Sequence, residues 1–144
     1  MSTEENKAIA RRLIEEVVNK GNLDAIDDLI ATDFVWHGAP PELAPGREAM
    51  KQFFPILHGG LPDWHDTIED IIAEDDKVVV RFTARGTHKG EFMGIAPTGK
   101  QVKITGILIY RITNGKIVEE WFEHDMMGMM QQLGVVPPIG QAKK

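Results

Sequence analysis

The stretch Glu119–Gly134, EEWFEHDMMGMMQQLG, sets a carboxylate, Asp125, between a segment patterned as a strand and a methionine-rich segment patterned as a helix. Alternation along the strand puts Ile117, Glu119, Trp121, Glu123 and Asp125 on one face and Val118, Glu120, Phe122 and His124 on the other. A face with both Trp121 and Asp125 suits a half-apolar pocket wall with a carboxylate near its rim. Partial loss of water there raises an aspartate's pKa, and a carboxylate so tuned transfers protons at neutral pH. Asp125 also stands where it can cap the following helix by accepting a bond from the amide of Met127 or Gly128. Spacing alone favours the cap, and the two roles are compatible.

The neighbours of Asp125 depend on hairpin register, because a slip of one residue exchanges the faces. A two-residue Asn114-Gly115 turn groups Asp125 with Tyr110, Leu108 and Ile104. A longer loop with a glycine bulge groups it with Arg111, Ile109 and Ile107. The dipeptide favours the first, which leaves the place of Arg111 open. Five histidines, His37, His58, His65, His88 and His124, are scattered, with no pair one helical turn apart and no helical H-E-x-x-H, so no metal site is expected. His37 and His65 are each read as pocket-lining or surface residues. Arg81 sits in the most apolar strand, between Val80 and Phe82, and is either exposed on the outer sheet face or buried against a carboxylate. Met126, Met127, Met129 and Met130 are core or pocket-lid residues, and flexible thioethers suit a mouth that admits a bulky apolar ligand.

These residues must be held by a chain of 144 residues, enough for one domain with one core and with no linker to divide it. Ser2 or Thr3 caps a first helix with an apolar stripe of Ile9, Leu13, Ile14, Val17 and Val18. Gly21 ends it, and Asn22 caps a short second helix. DFVWHG is a short strand, APPELAPG a loop, and a third helix runs from Arg47 to about His58 with Pro55 kinking or shortening it. Four strands follow as two hairpins joined by the loop KGEFMGIAPTGK. A helix from Met126 to Leu133 stops at Gly134, and VVPPIGQAKK is tail. Helices followed by an antiparallel meander predict an α+β domain. Its curled sheet makes a cone with a pocket under the helices.

Composition narrows the function classes. Sixteen basic against 22 acidic residues give a net charge of −6, which disfavours nucleic acid and anionic membrane surfaces as partners. With no cysteine, disulfides, thiolate metal sites and cysteine nucleophiles are excluded. The N-terminus has no apolar signal segment and no run reaches membrane-spanning length, so a cytoplasmic protein is expected.

FPILHGGLPDWH, VVVRFTARGTHKGEFMGIAPTGK and GKIVEEWFEHDMMGMMQQLG together resemble the SnoaL-like polyketide cyclases, also called the ester cyclase family, over roughly residues 5–135. The resemblance implies the α+β cone shared with nuclear transport factor 2, scytalone dehydratase and ketosteroid isomerase. It implies cofactor-independent acid/base chemistry on an apolar carbonyl compound, an intramolecular aldol cyclisation or a related lyase or isomerase reaction. Asp125 corresponds by motif position to the acid/base aspartate, His37 to a polar pocket position that orients a carbonyl, and Phe54 to an apolar wall. The expected site is then Asp125 and His37 as catalytic groups, with Phe54, His65, Arg81, His88, Trp121 and Met129 binding a small apolar or aromatic substrate. Two other readings stand beside it: a non-catalytic binding or dimerising domain, and a limonene-type epoxide hydrolase with an Asp63–Arg81–Asp125 cluster. Apolar residues on both faces of the strand KVVVRFTARGTH, Val78, Val80 and Phe82 against Val79, predict a homodimer or homotetramer.

Overall fold

The structure, a computed structural model, describes residues 2–137. The expected tail from residue 138 onward lies outside the described residues.

Helix α1 (Thr3–Arg12) opens on a capping box. The Ser2 hydroxyl accepts from the Glu5 amide at 3.0 Å, and the Glu5 carboxylate accepts from the Ser2 amide at 2.8 Å. The helix then widens into a π-helical segment, Leu13–Asn19, whose Leu13, Ile14, Val17 and Val18 are buried. Widening of this kind is uncommon and often lies beside functional sites. Here it ends with the Asn19 side chain clipped to the backbone of Asp66, donating to its carbonyl at 3.0 Å and accepting from its amide at 2.7 Å. Helix α2 (Asp24–Leu29) starts without a side-chain cap. Asn22 contributes only its carbonyl, which accepts from Ala25, in place of the side-chain cap its type suggests.

Strand β1 (Ile30–His37) leads through the proline-rich loop to α3 (Glu48–Gly60), which runs through Pro55 and two residues past the expected end. Strands β2 (His65–Glu74), β3 (Lys77–Thr87), β4 (Gln101–Thr113) and β5 (Lys116–His124) follow, and then α4 (Met126–Leu133). The curved, open sheet has the order β1-β5-β4-β3-β2, with β1 parallel to β5 and the other pairs antiparallel. The parallel strand, from between the helices, makes the sheet mixed where a pure meander was expected. Gly134 stops α4 in a left-handed conformation, φ 84°.

The β4–β5 hairpin decides the site. Its turn is the two-residue Asn114-Gly115, both at positive φ, with Thr113 opposite Lys116. Between Ile117 and Glu119 the register shifts, leaving Val118 as a bulge. Beyond it Tyr110 faces Glu120 and Gly106 faces His124. The bulge exchanges the faces of β5. Ile117 still points into the core, but after it Glu120, Phe122 and His124 point inward while Glu119, Trp121 and Asp125 join Arg111, Ile109 and Ile107 outside.

Candidate active site

The concave face of the sheet and the helices enclose a cavity of about 90 Å³. Its wall is aromatic and aliphatic, with Trp36, Phe53, Phe54, Phe82, Phe92 and Phe122 among the lining side chains. Trp36 meets Phe53 edge-on at 5.7 Å and stacks against Phe122 at 6.4 Å, which fixes one wall of rings. Phe92 comes from the loop after β3 and packs over Gly60 of α3, where a side chain would collide with its ring. Met126 and Met129 close the α4 side.

Four titratable side chains enter this apolar space: Asp66 from β2, Tyr110 from β4, and Glu120 and His124 from β5. Asp66 is 6% exposed and Glu120 4%. Burial raises Asp66 to about 7, opposed only by the Trp64 indole, which donates to its Oδ1 at 3.0 Å. Burial raises Glu120 to about 8, and the charge of Asp66 adds to the rise. The Trp36 indole lies close enough to lower Glu120 somewhat, yet neither Trp36 Nε1 nor Glu120 Oε1 reaches hydrogen-bond geometry with any partner. Burial and the charges of Glu120 and Asp66 keep the Tyr110 phenol protonated well above its usual range. His124 is held below its ordinary value by burial, against the pull of Glu123 and Asp125, and its ring tilts on Phe122 at 4.2 Å.

Of the catalytic and substrate-binding residues expected from the sequence, Phe54 and Met129 line the cavity. The others lie elsewhere. Asp125 is exposed, and its Oδ1 accepts from the Gly128 amide at 2.8 Å as the cap of α4. It borders an outer groove with Arg81, Ile107 and Glu123. The pocket-wall placement of Asp125 and Trp121 is thus corrected, and the cause is the bulge at Val118. His37 binds Glu119 at 2.7 Å and stacks on Trp121 at 5.0 Å, also on the outer face. Glu119 accepts from Arg111 at 2.9 Å as well, and these two partners hold its carboxyl below the usual range. Arg81 pairs with Asp70 at 2.7 Å in the open, which answers its alternative in favour of the outer face. His65 is exposed at the start of β2. His88 is fully buried in the loop after β3, where its Nδ1 accepts from the Thr98 amide at 3.2 Å and lies 3.0 Å from the Thr98 hydroxyl. It latches that loop and does not reach the cavity. Asp63 binds the Thr87 amide and hydroxyl at 2.6 and 2.7 Å, so Asp63, Arg81 and Asp125 form no cluster. Among the described residues no three His, Asp or Glu side chains are grouped to hold a metal ion, and no helix is long and apolar enough to cross a membrane.

Asp66 and Glu120 were the residues missed. Their signal was a carboxylate at an alternating position of an apolar strand beside a tryptophan, Trp64-His65-Asp66 and Glu120-Trp121.

The helices and the curved sheet thus enclose a pocket of small-molecule kind, with acids and aromatic rings facing it. The SnoaL-like polyketide cyclase profile matches residues 8–133, and the chain belongs to that family. It is similar to IdmH from Streptomyces antibioticus, a proposed polyketide cyclase, at 36% identity over 90% of this chain and 99% of that one, with a TM-score of 0.78. AclR from Streptomyces galilaeus, a proposed hydroxylase, is 30% identical over 96% and 86% of the two chains, with a TM-score of 0.84. TsrD from Streptomyces laurentii shares the fold at a TM-score of 0.86, with 24% identity over 94% and 99%. No curated protein matches the chain. Family membership supports a cyclase-type role, an enzyme of the lyase or isomerase kind, and small apolar ligands.

Proposed function

We propose that this chain is a cyclase-type enzyme that performs acid/base chemistry on a neutral, largely apolar carbonyl compound, and that Asp66 and Glu120 transfer the protons. The observation that carries the reading is a pair of buried carboxyl groups, at about 7 and about 8, facing one aromatic cavity. General acids and bases work best when their pKa lies near the operating pH. In an intramolecular aldol closure a base removes a proton beside a carbonyl, the resulting enolate attacks a second carbonyl, and an acid protonates the new alkoxide. Groups of this chain suffice for each proton. The aromatic wall orders a planar substrate and excludes water, and the lining residues include no lysine or arginine to attract an anionic one.

Asp125 keeps its place as the cap of α4 in this reading, and the acid/base role that its motif position suggests passes to the cavity pair. The test is ring closure of open-chain aromatic diketones, followed by absorbance. Asp66→Asn and Glu120→Gln are each expected to lose about 10²–10⁴-fold in turnover, the usual worth of a positioned acid or base. Asp125→Asn is expected to keep it. Loss of turnover in Asp125→Asn alone returns the role to Asp125.

The reading extends to assembly. Val35, Ile72 and Ile107 stand 48%, 62% and 47% exposed on the outer sheet face, where the His37–Trp121 stack also lies. A second copy of the chain is proposed to cover that face.

A further inference from the structure

The two cavity carboxyls are not equivalent, and the difference lies in their neighbours. Asp66 is held on three sides: Trp64 Nε1 donates to its carboxylate at 3.0 Å, and Asn19 clips its backbone with two hydrogen bonds of 3.0 and 2.7 Å. A donor to a carboxylate favours its ionised form. Glu120 has only the Trp36 indole beside it, near enough to lower it somewhat but short of hydrogen-bond geometry. Its Oε1 is buried with no partner, and so is the indole nitrogen of Trp36, its register partner on the adjacent strand β1. Buried polar atoms are nearly always paired, so two orphans on neighbouring cavity residues mark the place for a polar atom of a ligand.

We infer that the cavity binds an enolisable ketone in one orientation, with its oxygen at Trp36 and Glu120 and its acidic C–H at Asp66. This deepens the reading above and rests on it: Asp66 is the base, and Trp36 and Glu120 form the oxygen site. In the step, the Asp66 carboxylate takes the α-proton and the C–H electron pair becomes the new C=C bond. The carbonyl π pair moves to oxygen, which accepts hydrogen bonds from Trp36 Nε1–H and from the protonated Glu120 carboxyl. The reverse step returns a proton to carbon, so no oxidant or co-reactant enters. Trp36 is thereby a catalytic residue, a role nothing in the sequence pattern suggested.

Reversible enolisation is measurable without ring closure. A compact aromatic ketone, 1-indanone, is incubated with the protein in D₂O, and loss of its α-proton signal is followed by NMR. The wild-type protein is expected to exchange the α-protons faster than buffer. Asp66→Asn is expected to slow that exchange by about 10²–10⁴-fold. Glu120→Leu and Trp36→Phe each remove one donor, which at an oxyanion site is worth about 10²–10³-fold. Glu120→Gln, which keeps an N–H donor, is expected to lose less than Glu120→Leu, and this ordering separates hydrogen bonding from loss of folding. Exchange no faster than buffer in the wild type overturns the inference, as does an undiminished rate in Asp66→Asn or in both Trp36→Phe and Glu120→Leu. Exchange with no ring closure on any diketone leaves the inference standing and removes the cyclase reading. Ring closure that survives Asp66→Asn removes the inference and the role of Asp66 in the reading above, and leaves the cyclase-type activity standing.

Discussion

At the scale of single residues, the distinction is between carboxylates the fold employs and carboxylates it leaves open to chemistry. Asp63, Glu119 and Asp125 each accept hydrogen bonds that fix a turn, an outer-face ion pair or a helix end. Asp66 and Glu120 instead face an apolar cavity, and burial dominates both. A prediction follows for Asp125. Asparagine caps a helix about as well as aspartate, so Asp125→Asn should melt within error of the wild type, while Asp125→Ala should lose about 1 kcal/mol. Chemical denaturation with circular dichroism measures both. Equal stability of the alanine variant and the wild type would remove the cap as the reason for this aspartate.

At the scale of elements, nearly every helix and strand was legible. The Ile9–Val18 stripe, the Asn114-Gly115 turn and the Gly134 stop are local signals, and local geometry obeyed them. What was not legible was one inserted residue. Val118 has an ordinary strand residue's chemistry, yet its bulge turns Glu120 and His124 inward and Asp125 outward. Bulges answer to the curvature of the whole sheet, which no short window of sequence contains. The π-helical widening that brings Asn19 to Asp66 is hidden for the same reason. The Phe82 ring explains Gly106 opposite His124. A Cβ there would collide with the Phe82 ring and lie 2.9 Å from the Glu123 carbonyl. Gly106→Ala should therefore cost about 1–3 kcal/mol, the usual cost of overpacking, and should push Phe82 into the cavity. Adding Phe82→Leu should recover part of that stability. A Gly106→Ala protein as stable as the wild type would mean that the strand has room the structure does not show.

At the scale of the whole molecule, two properties follow. The first is assembly: the apolar outer face predicts a dimer at roughly tens of micromolar, a range where weak self-association is populated. Light scattering checks it, and a monomer at that concentration counts against it. Ile107→Lys should shift any dimer toward monomer. The second is stability against pH. Asp66 and Glu120 bind protons more tightly folded than unfolded, so their burial costs nothing while both states are protonated and destabilises as pH rises from about 4 to about 8. Carboxylates held low, such as Asp63 and Glu119, act only at lower pH, where their stabilisation is lost on acidification. His124, held below its unfolded value, works in the opposite direction near pH 6.5. The comparison is therefore between the wild type and Asp66→Asn/Glu120→Gln, in which His124 is common to both. The wild type should lose stability relative to the double variant between pH 5 and 8.5, as read by melting temperature. The proton binding behind that slope, and behind the proposed chemistry, is visible directly in the side-chain carboxyl ¹³C signals of Asp66 and Glu120, assigned from the two single variants and titrated by NMR. The expected result is a pair of coupled midpoints near neutrality, about 7 and about 8. Midpoints for both in the ordinary carboxylate range near 4 would contradict the assignment of this cavity as an acid/base site.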